Sequence, residues 1–243
     1  MTDEQIEFRS DVTVELVRHS ASDADVLFAA RVSTQGEQTL EAASSGAEAS
    51  ERDRGLINYL MRDRHGSPFE HNSLTFYVQA PIFVFREFMR HRIASYNEES
   101  GRYRELRPVF YVPGPDRKLV QVGKPGAYEF EDGTAEQTAL VREEVVAVCT
   151  QAYESYQRML EAGVAREVAR AVLPVTLYSS MYVTMNARSL MNFLSLRTKR
   201  EGTHFPSFPQ REIEMVAEKM EELWKPLMPM TAETFDQNGR VAP

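Results

Sequence analysis

Residues 11–18 (Asp11-Val12-Thr13-Val14-Glu15-Leu16-Val17-Arg18) alternate apolar and polar side chains, the period of a half-buried strand. A helix is predicted next, capped near Ser22 and running from Asp23 to Arg31. Residues 35–50 are rich in Gly, Ser, Ala and Glu without a strong period, and read as a mobile loop. Helical spacing returns from Ser50 to Arg64, with Leu56, Ile57 and Leu60 on one face. Leu74-Thr75-Phe76-Tyr77-Val78 is a strand by its β-branched and aromatic content, and Pro81 suits the first turn of a helix. On that helix Glu87, Arg90 and His91 are predicted to share a face by i, i+3, i+4 spacing.

Glycines alternate with Pro108, Pro113, Pro115 and Pro125 over residues 108–135, which predicts strands and turns, not a linker. A long helix is expected from Ala135 to Glu161, ended by Gly163, and a second over Arg166–Val172, stopped by Pro174. Tyr178–Thr184 reads as a strand. Asn186 is a good cap for a helix reaching Arg197. A last long helix spans 210–224, and a short one follows Pro226. No repeat or composition break divides the chain. The expectation is one α+β domain over residues 1–243.

Composition narrows the function classes. Hydrophobic residues make up 42% of the 243 and charged residues 26%, enough for a sizeable core. No apolar run is long enough for a membrane span, and the acidic start of the chain is not a secretory signal, so no membrane partner is expected. One cysteine, Cys149, excludes an internal disulfide framework and fits a reducing cytoplasm. A formal charge of −8 argues against a nucleic-acid partner, because phosphate neutralisation needs a broad basic surface.

Against that acidic background the stretch Arg90-His91-Arg92-Ile93-Ala94-Ser95-Tyr96-Asn97-Glu98-Glu99-Ser100-Gly101-Arg102-Tyr103 stands out. Its guanidinium forks suit phosphate or carboxylate, so it is a candidate receptor for a small anion; a solvated charged face is the competing reading. It follows a mostly apolar run, Pro81 to Met89, and therefore emerges from a buried element. In Asn186–Arg197, helical spacing puts Arg188, Asn192 and Ser195 on one stripe and Leu190, Phe193 and Leu194 on another, with the Arg197 stem beside them. That pairing suits a flat heteroaromatic ligand with hydrogen-bonding edges, or equally an ordinary amphipathic helix.

His65-Gly66-Ser67-Pro68-Phe69-Glu70-His71 invites a metal, but its histidine spacing fits neither a helical pair nor the short zinc spacings, and no metal is expected. Cys149 lies mid-helix with no adjacent base and reads as a core residue. No nucleophile elbow, Walker loop or dinucleotide fingerprint is present. Without an enzyme nucleophile, an external cofactor is expected to carry the hard step.

Arg90-His91-Arg92, seven residues and then Ser100 resembles the R-H-R-x7-S signature of the flavin-dependent thymidylate synthases, the ThyX family. The likeness extends into His65–His71 and Asn186–Arg197, in the same order. It implies an α+β fold with packed helices around a mainly antiparallel sheet, and a cytoplasmic homotetramer with active sites shared between subunits. It implies reductive methylation of dUMP to dTMP, with 5,10-methylenetetrahydrofolate as carbon donor, NADPH as reductant and FAD as cofactor. The residues it implies for FAD are Ser67, Arg90, His91, Arg92, Glu98, Asn186, Arg188 and Asn192, with His65 and Ser33 as further contacts. For dUMP it implies Glu87, Arg90, Glu98, Glu99, Ser100, Gly101, Arg102, Arg170 and Arg197, with Arg197 activating the uracil. Glu87 departs from members that carry Gln there, and the loop 198–209 is longer than in the shortest members. A non-catalytic nucleotide-binding regulatory protein is the alternative.

Overall fold

The computed structural model describes residues 5–39, 50–125 and 127–243. The chain divides into two compact units, and it passes between them inside four strands and once, after Arg90, in a turn. The first unit comprises residues 1–13, 78–90 and 97–181; the second comprises 14–77, 91–96 and 182–243.

Eight strands are described: β1 (Glu7–Arg9), β2 (Thr13–Ser20), β3 (Ser73–Pro81), β4 (Ser95–Glu98), β5 (Val109–Tyr111), β6 (Val120–Lys124), β7 (Ala127–Glu131) and β8 (Tyr178–Met185). One sheet has the order β2-β3-β8-β4. β6 and β7 form an antiparallel ribbon, the strand-and-turn excursion expected over 108–135, while β1 pairs parallel with β5 from Glu7 opposite Val109. The α+β class with a mainly antiparallel sheet holds. In β3 the burial pattern alternates strictly from Ser73 to Ala80, as a strand with one face in the core requires.

In the first unit, α3 (Ile82–Phe88) buries Val84, Phe85 and Phe88. α4 (Ala135–Glu161) starts on a capping box in which Thr134 accepts from the Gln137 N–H and the Gln137 side chain accepts from the Thr134 N–H. It ends before Gly163, whose φ of 80° is the left-handed conformation expected of a glycine stop. The core here is Leu106, Phe110, Cys149, Tyr153, Tyr156, Ala169 and Leu177. Cys149 is a core thiol, within hydrogen-bonding distance (3.3 Å) of Thr176 Oγ1, and burial pushes its pKa up. The segment expected to be helical over 166–172 is a turn of α-helix, α5 (Arg166–Ala169), tightening into a 3-10 turn over Arg170–Val172.

The second unit holds α1 (Asp23–Gln35), α2 (Glu51–Arg62), α6 (Ala187–Arg197), α7 (Arg211–Trp224) and α8 (Pro229–Gln237). Ser22 and Ser50 open α1 and α2 with capping boxes closed by Asp25 and Asp53. Helix α1 continues past the expected Arg31 to Gln35, and most of the expected mobile loop, 40–49, lies outside the described residues. α8 has no capping side chain of its own. Its first N–H groups are satisfied from far away in sequence: the buried Asp23 carboxylate accepts from Met230 N (2.8 Å), Thr231 N (2.9 Å) and Thr231 Oγ1 (2.6 Å). A negative charge at a helix N-terminus also complements the helix dipole.

One expectation is corrected. Glu87, Arg90 and His91 do not share a helical face, because α3 ends at Phe88 and the chain turns through Met89 and Arg90, whose N–H donates to Glu87 O at 3.2 Å. Residues 91–94 belong to no regular element, and β4 begins only at Ser95.

Asp23→Ala removes the long-range cap of α8. The expected loss is about 2 kcal/mol, the upper end for a helix cap, since three donors lose their acceptor together. A urea midpoint lowered at unchanged slope is the readout; an unchanged midpoint would show that α8 holds without Asp23.

Candidate active site

In the first unit, the residues after β4 form a tight turn anchored on α4. Glu99 N donates to Ser180 O at 2.8 Å, and the N–H groups of Tyr103 and Arg104 both donate to Ser100 O. The Ser100 hydroxyl accepts from Arg102 N at 3.3 Å. Leu106 fixes the far end: its N–H donates to the Tyr156 hydroxyl and its carbonyl accepts from the Tyr153 hydroxyl, each at 3.3 Å. Gly101 is buried where a Cβ would lie 2.8 Å from Leu106 Cδ1 and 3.2 Å from Arg170 Cδ, so only glycine fits without a shift. This close approach brings Ser100, Gly101 and Arg170 together although they are far apart in sequence.

The charges in this unit fall into two groups. Arg102 pairs with Glu167 at 2.9 Å, and Arg104 with Glu99 at 3.1 Å. Arg86, Arg90 and Arg170 have no hydrogen bond or ion pair from their guanidinium groups among the described residues. Glu98 is half-buried, and its pKa is raised first by burial; Glu99 raises it further, while a hydrogen bond with Ser179 and the charges of Arg170 and Arg86 oppose the rise. A carboxylate at the margin of desolvation beside uncommitted guanidiniums makes a receptor with both donors and an acceptor, suited to an anion carrying a polar ring.

In the second unit, α6 sets the geometry. Asn186 caps it, Oδ1 accepting from Ser189 N at 2.9 Å. Ala187, Leu190, Met191, Phe193 and Leu194 are buried, which turns Arg188 and Asn192 outward, as the two stripes in the sequence require. Arg188 is committed on its own side of the unit: Nη1 pairs with Glu70 and Nε donates to Pro243 O, both at 2.5 Å. Gly66 makes room for it, since a Cβ there would lie 2.5 Å from the guanidinium carbon. Ser67, itself exposed, opens a 3-10 turn that buries Pro68 and Phe69, His65 stacks on Tyr59 (5.4 Å between centroids, 25°), and Ser33 donates to Ala30 O. Arg92 is exposed and has no partner for its guanidinium among the described residues.

His91 and Arg197 meet at the end of α6. Arg197 Nε donates to His91 Nε2 at 3.1 Å, and the His91 ring stands edge-on to Phe193 (4.9 Å, 80°). The Tyr96 hydroxyl donates to His91 O at 2.7 Å, and burial pushes the tyrosine up to about 12. Burial, and secondarily the Arg197 charge, push His91 down to about 4. The imidazole is therefore neutral near pH 7, as accepting from a guanidinium requires. The pair fixes a permanent cation through one nitrogen of its fork.

Comparison with known proteins decides the family. A family model described as thymidylate synthase complementing protein matches residues 15–230. A flavin-dependent thymidylate synthase of Streptomyces avermitilis is 69% identical over 237 residues, 97% of this chain and 95% of that one. The chain belongs to the flavin-dependent thymidylate synthase family. As a member it is an enzyme. Crystal structures of a UMP/dUMP methylase, PolB from Streptomyces cacaoi, are also similar: 55% identical with a TM-score of 0.89 for the protein bound with 5-Br UMP, and 56% with 0.91 for that bound with 5-Br dUMP. Each comparison covers 98% of this chain and 100% of PolB.

The residues that the family resemblance names divide between the units. Glu87, Arg90, Glu98, Glu99, Ser100, Gly101, Arg102 and Arg170 lie in the first; Ser67, His91, Arg92, Asn186, Arg188, Asn192 and Arg197 lie in the second. Arg86, whose charge acts on Glu98, is not among the residues the resemblance names; it lies in the mostly apolar run that precedes Arg90. Thr198, Glu221 and Arg240 also went unnamed, and no local pattern marks them. Among the described residues no group of three or more His, Cys, Asp or Glu is placed to hold a metal, and no helix is long and apolar enough to cross a membrane.

The His91 shift sets a pH dependence. The unfolded histidine titrates near 6.5 and the folded one near 4, so between those values the unfolded chain binds more protons. Stability is fully present above about pH 6.5 and falls as pH drops toward about 4. Urea unfolding at about pH 7 and about pH 5 should show a larger loss in the native protein than in His91→Gln, which has no proton to take up. Equal losses would mean that His91 titrates normally in the folded protein.

Proposed function

We propose that this enzyme makes dTMP by reductive methylation of dUMP. One observation carries the reading: the near-full-length 69% identity to a flavin-dependent thymidylate synthase. The carbon comes from 5,10-methylenetetrahydrofolate, which leaves as tetrahydrofolate, and NADPH with a proton supplies the reducing equivalent; the uracil C5–H proton is given up. When bound, FAD supplies the redox chemistry between NADPH and the transferred carbon. We infer one functional domain across residues 1–243, acting as a cytoplasmic homotetramer with shared active sites.

The donor set fits both anions. Arg92, the Asn192 amide and the amide nitrogen of the Asn186 cap are donors suited to a pyrophosphate and to ring carbonyls, and Ser67, His91, Arg188 and Glu98 complete the flavin assignment. For dUMP, Ser100, Gly101 and Arg102 offer hydroxyl, backbone and guanidinium donors to a phosphate dianion, with Arg90 and Arg170 adding charge and Glu87, Glu98 and Glu99 accepting from the nucleoside. Arg197 is the catalytic residue. It is too basic to remove a proton, so its work is electrostatic: a fixed cation at the uracil edge stabilises negative charge developing on the ring. The neutral His91 holds that cation through Nε without competing for the charge.

PolB, described as acting on UMP as well as dUMP, favours a second reading in which the ribose 2′-hydroxyl is tolerated. Product formation from dUMP and from UMP, each with FAD, NADPH and methylenetetrahydrofolate, separates the two. Selective turnover of dUMP supports the thymidylate synthase reading. Comparable turnover of UMP supports the broader methylase, and dUMP binding without turnover supports a regulatory protein.

Arg197→Ala should retain FAD and lose turnover by roughly 3–4 kcal/mol of transition-state stabilisation, the scale of an oxyanion-donor deletion. Near-normal dTMP formation by the folded variant would remove Arg197 from the chemistry. Arg102→Ala should raise the dUMP dissociation constant about tenfold, as loss of one charge-assisted contact does, and leave flavin absorbance unchanged. Loss of flavin at unchanged dUMP affinity would reverse the ligand assignments.

A further inference from the structure

We propose that Arg240 acts through Thr198 as a positioning residue for Arg197, within a segment, 239–243, that clamps α6 at both ends. The inference rests on the catalytic reading of Arg197. The segment lies beyond the part of the chain that the family model matches, residues 15–230.

Arg240 is buried, with 5% exposure, and has a left-handed φ of 56°, unusual for a residue with a side chain. Its guanidinium is held on three sides. Nη1 donates to Glu221 Oε1 at 2.8 Å and to Asp236 Oδ1, Nη2 donates to Thr198 Oγ1 at 3.1 Å, and the group lies over the Phe235 ring at 4.9 Å. Nε is buried with no partner among the described residues. Burying an ion pair gives little net stability compared with apolar packing of the same volume, so stability alone is a poor account of this arrangement. Its geometry points to what it holds.

Thr198 directly follows Arg197, and helix ends fray unless their last carbonyls are capped. Here every polar group of Thr198 is used. Its N–H and hydroxyl both donate to Leu194 O, at 3.0 and 2.7 Å, its carbonyl accepts from the Ser207 hydroxyl at 2.5 Å, and Oγ1 accepts from Arg240. A cation at this helix C-terminus also complements the dipole. The same segment holds the neighbouring loop: His204 N donates to Gly239 O at 2.9 Å, and a Cβ at Gly239 would lie 3.0 Å from the His204 Cβ. At the other end of α6, Arg188 Nε donates to Pro243 O, while Arg64 donates to Ala242 O at 2.8 Å. The helix is thus tied at its first and last turns by one short stretch of chain, and Arg197 leaves it at the tied end.

The test uses Thr198→Val, which keeps shape but removes the acceptor, and Arg240→Lys, which keeps charge but loses the fork. Two quantities are read in the FAD-bound protein: the His91 titration by NMR of labelled histidine, and kcat against KM for dUMP. Loosening Arg197 from His91 should raise the histidine pKa from about 4. It should also lower kcat about tenfold with KM and flavin retention unchanged, since small misplacements of a reacting group are costly. An unmoved His91 titration overturns the inference, whether or not kcat falls. A raised His91 pKa with unchanged kcat upholds the positioning role and instead removes Arg197 from the chemistry.

Discussion

Burial of one face of α6 is the constraint on which the candidate site residues of the second unit depend. Ala187, Leu190, Met191, Phe193 and Leu194 must leave water, and a rigid helix then has no freedom in where its other side chains point. Arg188 and Asn192 face outward as a consequence, and Arg197 comes to lie beside His91. Phe193 serves both purposes, packing into the core and giving the His91 ring an edge-on partner. The site therefore inherits its precision from apolar packing, which is dense and intolerant of displacement, and not from its own polar contacts.

The two units use charge differently. In the second, Arg92 is exposed, but three guanidiniums are committed: Arg240 to Glu221, Asp236 and Thr198, Arg188 to Glu70 and a carbonyl, Arg197 to a neutral imidazole. Each is fixed in direction before any ligand arrives, which suits a group that must act on developing charge. In the first, Arg170 and Arg86 act on the half-buried Glu98 through charge, and among the described residues their guanidiniums make no ion pair, an arrangement that suits an anion receptor.

Family membership and geometry answer different questions. The identities reach nearly the whole chain, so the class of enzyme follows from them. The internal bonds of residues 98–106 and of α6 give physical reasons for individual residues: Gly101 because Leu106 and Arg170 approach too closely for a Cβ, Asn186 because α6 needs a cap, His91 because Arg197 needs a neutral acceptor.

The sequence by itself determined the elements whose signals are local. Capping residues, the helical faces of α2 and α6, the Gly163 stop, the alternation in β2 and the β-branched and aromatic content of β3 all act over a few residues, so they are legible without knowing the fold. The basic run, its spacing to Ser100 and the two stripes of Asn186–Arg197 were legible for the same reason. Only the tertiary structure decided what depends on distant partners. The end of α3 at Phe88 broke the expected face of Glu87, Arg90 and His91, because the chain turns at Met89 and Arg90 on its way to β4. Asp23 capping α8, Arg240 reaching Thr198, and Tyr153 and Tyr156 fixing Leu106 link residues far apart in the chain, and burial that makes such bonds worth forming exists only once the core has closed.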